Sequence, residues 1–305
     1  MLPIRLAVTG TQGQVARSLI ERGKEHTVEI VAVGRPELNL SDPRSIRSAL
    51  ETARPDVIVN AAAYTSVDRA EKEPDVAFSV NATGAGAVAD VARDLAVPII
   101  HLSTDYVFGG ETARPYREDD ATGPIGAYGR SKLAGETEVL GKTANSAVLR
   151  TAWVYSPFGA NFLKTMLRLA ESREEIAVVA DQRGNPTSAL DIADGIIAVA
   201  KNLLADPAQA AFRGVFHMTG GGETTWAELA EAIFAASQDL GGPRARVRPI
   251  SSNDYPTLAK RPSNSRLDCT KLASAHGVAL PPWRHSVPYC VGRLLIESKA
   301  SARGK

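Results

Sequence analysis

Cysteine is almost absent from this 305-residue chain: only Cys269 and Cys290 occur. They have no short metal-ligand spacing and no framework of partners. Neither a thiolate metal site nor a disulfide-stapled fold is therefore expected, and a reducing cytoplasm fits. Net charge is nearly absent too, with 35 basic residues against 34 acidic ones. No basic cluster with interleaved aromatics appears, which excludes an extended nucleic-acid surface but leaves room for a charged small substrate. No apolar run is long enough to cross a bilayer, and Met1-Leu2-Pro3-Ile4-Arg5 runs straight into a strand pattern. Neither a membrane span nor a signal peptide is expected. Repeats and low-complexity blocks are missing as well. The length suits one large domain with a smaller one.

What the chain does have is a strand-helix rhythm. Short apolar runs at Ile4–Thr9, Val28–Val33, Asp56–Asn60, Pro98–Leu102 and Ala147–Arg150 alternate with helical patterns. These begin after Gly13, at Ser41-Asp42-Pro43, across Pro74 to Leu95, and around Tyr128. The rhythm predicts an α/β fold with a Rossmann-like, doubly wound parallel sheet. From Thr151 the pattern loosens into a smaller α/β region with helices at Asn161 to Ser172, Leu190 to Leu204 and Thr225 to Ala236, and strands at Ile176–Val179 and Val215–Met218. The expected organisation is a dinucleotide-binding domain over 1–152, a mainly substrate-binding region over 153–298 that can cross back into the first domain, and a frayed tail over 299–305.

The first strand ends in Gly10-Thr11-Gln12-Gly13-Gln14-Val15-Ala16. Gly10 permits the tight turn, Gly13 lets backbone amides approach a pyrophosphate at the positive end of the next helix, and Ala16 is small enough for close helix packing. The second strand ends at Gly34-Arg35, where NAD-specific folds place an acid for the ribose. Arg35 suits a 2′-phosphate instead, so NADPH is preferred, with NADH as the alternative. Ala61-Ala62-Ala63 presents minimal side chains on which a flat ring can rest.

Thr104 follows the apolar run to Leu102, at the strand end where open parallel sheets put their chemistry. Tyr128 and Lys132, four apart on a helix, share one face. A free phenol has a pKa of about 10, and an adjacent ammonium lowers it toward the working range of a general acid. Thr104 would hold the same substrate oxygen. Trp153, just past the fifth strand, can stack on a sugar or base or close the core. Arg261-Pro262-Ser263-Asn264-Ser265-Arg266 is a basic, polar loop that can face a phosphate or solvent.

Five runs together resemble the extended short-chain dehydrogenase/reductases, and among them the dTDP-4-dehydrorhamnose reductases. They are the glycine turn, Pro55 to Thr65, Ser103-Thr104-Asp105-Tyr106-Val107-Phe108, Tyr128-Gly129-x-x-Lys132-Leu133-Ala134-Gly135-Glu136, and Arg261-Pro262-x-Asn264-Ser265. The resemblance implies that Tyr128 donates a proton, Lys132 lowers its pKa and holds the nicotinamide ribose, and Thr104 binds the reacting oxygen. It implies cofactor contacts at Gly10, Gly13, Gln14, Val15, Asn39, Leu40, Ala62 and Ala63, and sugar-nucleotide contacts at Asp105 and Trp153. Hydride would pass to C4 of a 4-keto-6-deoxy sugar, in L-rhamnose biosynthesis for cell-envelope polysaccharide. Related dehydratases carry a glutamate where this chain has Tyr106, which disfavours elimination; epimerases share the short motifs. The non-catalytic beta subunit of methionine adenosyltransferase is a second resemblance, set apart by Trp153-Val154-Tyr155, Asn161-Phe162 and Thr165-Met166-Leu167. Some reductases of the family dimerise through magnesium held by glutamates near the glycine turn. Arg17 and Ser18 stand here instead, which puts magnesium in doubt and leaves a homodimer open.

Overall fold

The computed structural model describes residues 3–303. Its first half comprises β1 (Ile4–Thr9), α1 (Gln14–Glu25), β2 (Val28–Val33), α2 (Pro43–Ala53), β3 (Val57–Asn60), α3 (Val67–Ala70), α4 (Pro74–Phe78), α5 (Gly84–Asp94), β4 (Ile99–Thr104), α6 (Ala127–Lys142) and β5 (Ser146–Thr151). The second half comprises β6 (Val154–Tyr155), α7 (Phe162–Ala170), β7 (Glu175–Val179), β8 (Arg183–Gly184), β9 (Thr187–Ser188), α8 (Ala189–Ala205), β10 (Gly214–His217), β11 (Thr224–Thr225), α9 (Trp226–Asp239), β12 (Arg246–Ile250), α10 (Thr270–His276) and α11 (Trp283–Arg303).

Six of these strands form one parallel sheet in the order β10-β5-β4-β3-β1-β2. Period-two alternation divides its side chains between two layers. Leu6, Val8, Val57, Val59, Ile100, Leu102 and Leu149 pack against α1 and α8, whereas Ala7, Ile58, Ile99 and Val148 pack against α2, α5 and α6. Both faces are covered, so the strands read as continuous apolar runs. The strand order reverses between β1 and β3, and that switch point is where such sheets open a crevice beyond their carboxyl ends.

A second core joins Tyr155 and the apolar faces of α7, β7, α9 and α11, including Leu163, Ile176, Ile233, Trp283 and Val291. The chain crosses the division near residue 152 more than once: α8 covers the main sheet and β10 pairs with β5 at its edge. Side chains cap the starts of α2, α7 and α9. Asp42 accepts from Arg44 N–H ahead of Pro43, Asn161 accepts from Lys164 N–H, and Thr225 with Glu228 completes a capping box.

Two expectations need correction. The helix expected over Pro74 to Leu95 is interrupted by a π-helical turn at Ser79–Thr83. That turn carries Asn81, whose Oδ1 accepts from Tyr64 N–H at 2.8 Å and whose Nδ2 donates to Tyr64 O and Ser131 Oγ, both at 3.0 Å. The extra residue in the turn is offset by these three hydrogen bonds, two to the loop after β3 and a buried one to α6. The closing helix α11 runs to Arg303, into the segment expected as a tail; it continues through Pro288 and Gly292, and no proline or glycine follows Gly292 within it. Residues 304–305 of that segment lie outside the described residues. Among the described residues, no helix is long and apolar enough to cross a membrane.

Candidate active site

One cleft of about 1430 Å³ runs along the carboxyl ends of β1, β3, β4 and β5, and every residue singled out above for catalysis, cofactor or sugar nucleotide lines it. At its floor Thr9 Oγ1 donates to Asn60 Oδ1 at 2.8 Å and accepts Ala62 N–H at 3.0 Å, while Asn60 Nδ2 lies 3.0 Å from His101 Nδ1. This row of buried polar contacts fixes the mutual height of three strand ends.

The glycine turn is built for close approach. Gly10 has φ +90°, a conformation that disfavours a side chain, and a Cβ there would press on Ala62. A Cβ on Gly13 would meet nothing within 4 Å, so that backbone faces the open cleft. No side chain caps the start of α1, which leaves its first amides available to an anion. These features fit a dinucleotide pyrophosphate. Arg35 is exposed on the rim, where it can reach a 2′-phosphate, and Leu40 is buried beneath. Gln14 does something its spacing did not announce: its Oε1 accepts from Ser156 Oγ and Asn161 Nδ2, both at 2.9 Å, tying the turn to the second core.

Tyr128 and Lys132 project from the first turns of α6. That helix is positioned by Glu71, whose Oε1 accepts Ala127 N–H at 2.7 Å, a carboxylate at the positive helix end. Gly129 and Gly135 let α6 approach Tyr106 O and Asn81 O more closely than a Cβ would allow. Behind the pair lies a buried ion pair that sequence reading missed. Arg150 Nε and Nη2 donate to the two oxygens of Glu136 at 2.9 and 2.7 Å, and Ser103 Oγ donates to Glu136 Oε1 at 2.5 Å.

The electrostatics correct one expectation. Burial pushes the Tyr128 phenol up to about 12, with Thr104 pulling it down and Asp105 pushing it further up. The Lys132 ammonium points its proton at Leu102 O, 2.6 Å away, and burial lowers that lysine to about 8. The phenol is thus held protonated, because desolvation disfavours the phenolate more than the Thr104 hydrogen bond favours it, and Lys132 is not among the groups that shift it. Asp105 is raised to about 7, chiefly by burial, against opposing hydrogen bonds with Ser265 and Thr104. Tyr106 lies edge-on to Tyr128 with ring centroids 5.8 Å apart.

Across the cleft Trp153 adopts φ +46° and stacks on Trp226, centroids 3.6 Å apart and planes within 6°. Trp226 was not signalled by sequence beyond its place after the Thr225 cap. Arg261 and Arg266 do not line the cleft, although Arg261 reaches Tyr106, which does. Arg261 pairs with Asp68 at 2.9 Å, and Arg266 pairs with Glu223 at 2.8 Å and donates to Ala113 O at 2.6 Å. These contacts staple their loop to the body. Among the described residues, no group of three or more His, Cys, Asp or Glu side chains is arranged to hold a metal ion.

A parallel sheet with a switch-point crevice, an uncapped glycine turn and a Thr-Tyr-Lys constellation at the end of β4 define a Rossmann-like oxidoreductase of the short-chain dehydrogenase/reductase type. Residues 4–296 match the family described as RmlD substrate binding domain, and the chain belongs to that family. It is 48% identical over 296 residues to a dTDP-4-dehydrorhamnose reductase of Sinorhizobium fredii (strain NBRC 101917 / NGR234), covering 97% of this chain and 99% of that one. A dTDP-4-dehydrorhamnose reductase of Burkholderia thailandensis is 42% identical over 303 residues, covering 96% and 100%. The crystal structure of dTDP-4-dehydrorhamnose reductase from Bacillus anthracis strain Ames in complex with NADP superposes with a TM-score of 0.87 at 33% identity, covering 97% of this chain and 99% of that one.

Proposed function

We propose that this protein is a dTDP-4-dehydrorhamnose reductase that reduces C4 of dTDP-4-dehydro-L-rhamnose to give dTDP-L-rhamnose, with NADPH as donor and NADH as the alternative. It would work in the cytoplasm, supplying cell-envelope polysaccharide. The observation that carries the reading is the convergence of Thr104, Tyr128 and Lys132 in the same cleft as the uncapped glycine turn. Its near full-length similarity to reductases of that name supports the substrate.

When bound, the nicotinamide cofactor supplies the hydride. Gly10, Gly13 and the amides opening α1 would hold its pyrophosphate, Arg35 its 2′-phosphate, and Ala62 and Ala63 would give it close backing. Tyr128, protonated at neutral pH, gives its proton to the oxygen developing negative charge at C4. Thr104 fixes that oxygen against the phenol. Lys132 is mostly charged at pH 7 and would hold the ribose and favour the phenolate that results. Trp153 and Trp226 form a flat apolar wall against which the sugar nucleotide packs, and residues from 153 onward supply most of that side of the cleft. The test is loss of nicotinamide absorbance when protein and NADPH meet enzymatically generated dTDP-4-dehydro-L-rhamnose, with the product identified. The wild type should yield dTDP-L-rhamnose, and Tyr128→Phe should lose roughly 10²–10⁴-fold in turnover while still binding NADPH. No oxidation by folded, cofactor-binding wild type would remove the reading.

A further inference from the structure

Tyr128, Lys132 and Glu136 recur at intervals of four on α6, so the acid, the lysine and this carboxylate stand along one side of the helix. Tyr128 and Lys132 line the cleft, whereas Glu136 and Arg150 do not. Glu136 is 2% exposed and lies where three elements meet. From β5, Arg150 donates to both of its oxygens; from β4, Ser103 Oγ donates to Oε1 at 2.5 Å. Leu102, the residue before Ser103, accepts from Lys132 Nζ at 2.6 Å. Helix α6 thus grips β4 at two successive residues, and the next one along the strand is Thr104. Ser103 faces Arg150 in the register of β4 with β5, just as Thr104 faces Thr151, and both threonines line the cleft. One carboxylate therefore ties both strands to α6 a single residue before their ends open into the site.

We propose that Glu136 is a positioning residue for the reduction, setting the height of Thr104 against Tyr128 and Lys132 through its bonds to Ser103 and Arg150. The proposal rests on the reading of Thr104, Tyr128 and Lys132 as the reacting site. Stability does not account for ions in this place, because apolar side chains of similar volume often replace a buried ion pair at no loss. What they lack is direction. A carboxylate that accepts three hydrogen bonds from two strands admits one register of helix against sheet, whereas flexible apolar side chains adapt to several. Burial lowers the Lys132 ammonium, and the charge of Glu136 opposes that effect, so the same residue acts on both ends of the constellation. Glu136 works through Ser103, Arg150 and Lys132, and its influence falls on the geometry in which bound substrate reacts.

Replacing Glu136 and Arg150 together by methionine removes both charges and leaves neither uncompensated, so it separates position from buried charge. With NADPH and the keto sugar, kcat of this double variant should fall roughly tenfold, while KM and the NADPH Kd stay within about twofold of wild type. The same loss should appear in the first turnover after rapid mixing, a step that product release does not reach. Ser103→Ala keeps the ion pair and removes one hydroxyl. It should lose roughly threefold in kcat, and nothing further when added to the double variant, since both act through one grip. A double variant with kcat within about twofold of wild type, a loss confined to KM or NADPH binding, or an additive loss from Ser103→Ala would each overturn the proposal. If the double variant does not fold, Ser103→Ala decides, and an unchanged first turnover overturns it. Wild type that folds and binds NADPH but reduces no keto sugar would strike the functional reading and this proposal with it.

Discussion

Glutamine at position 136 would keep the shape of Glu136 and remove its charge where α6 is ionically tied to β5. The two side chains of the Glu136–Arg150 pair are 3% and 5% exposed. In Glu136→Gln one carboxylate oxygen becomes an amide NH₂, which sets donor against donor at Arg150 whichever oxygen it replaces, and at Ser103 as well if it replaces Oε1. Arg150 Nη1 already lacks a partner, so its charge cannot shift its hydrogen bonding to a neighbour through that atom. Removing one member of a buried pair costs about 3–5 kcal/mol, mostly the uncompensated charge left behind. At about 2–4 °C per kcal/mol for a large domain, the melting temperature should fall by roughly 6–20 °C. Calorimetry at pH 7 measures it. Glu136 lies one helical turn beyond Lys132 and is bonded to the residue before Thr104, so kcat should fall more than KM rises. The double variant Glu136→Met with Arg150→Met should recover much of the stability, since it removes both charges. A drop below about 2 °C for the single variant, against the scale above, or a double variant no more stable than the single one, would refute the reasoning.

Arg35→Ala should weaken NADPH by roughly tenfold, about 1.4 kcal/mol, and NADH little, by titration calorimetry; equal losses would show that Arg35 does not read the 2′-phosphate. A Cβ at Gly184 would collide with the Trp153 indole, so Gly184→Ala should break the stack on Trp226, change tryptophan fluorescence and raise the sugar-nucleotide KM several-fold. Trp153→Ala should raise that KM more than it lowers the melting temperature; a large thermal drop with unchanged KM would make the stack a purely structural element. Asp105 is raised from 3.8 to about 7, so between those values the folded state binds more protons than the unfolded state. Its stabilising contribution is complete below about pH 4 and is lost as pH rises to about 7, roughly 4 kcal/mol in all. Urea unfolding of Asp105→Asn should therefore show a flatter pH dependence across that window, and a slope equal to wild type would contradict the burial argument.

Much of this protein was legible residue by residue because the signals are local. Continuous apolar runs can only be strands covered on both faces, Gly10 is needed where φ is positive, Asp42 and Thr225 announce helix starts, and a four-residue interval on a helix puts Tyr128 beside Lys132. Those features determined the sheet, the glycine turn and which side chains share the cleft. Other features depended on residues far apart in the chain. The stack of Trp153 on Trp226, the ion pair of Arg150 with Glu136, and the use of Arg261 and Arg266 as staples to Asp68 and Glu223 arise only when separate elements meet. The π-helical turn at Asn81 likewise follows from contacts with Tyr64 and Ser131 that no helical period encodes. Protonation was the least legible. Residue types and spacing placed a lysine near a tyrosine, but the folded environment set the balance of desolvation against hydrogen bonding, raising the phenol and the Asp105 carboxyl and turning the Lys132 ammonium to a backbone carbonyl. Sequence thus determined which groups share the cleft, and tertiary structure decided which of them hold a proton, because burial is a property of the whole packed molecule.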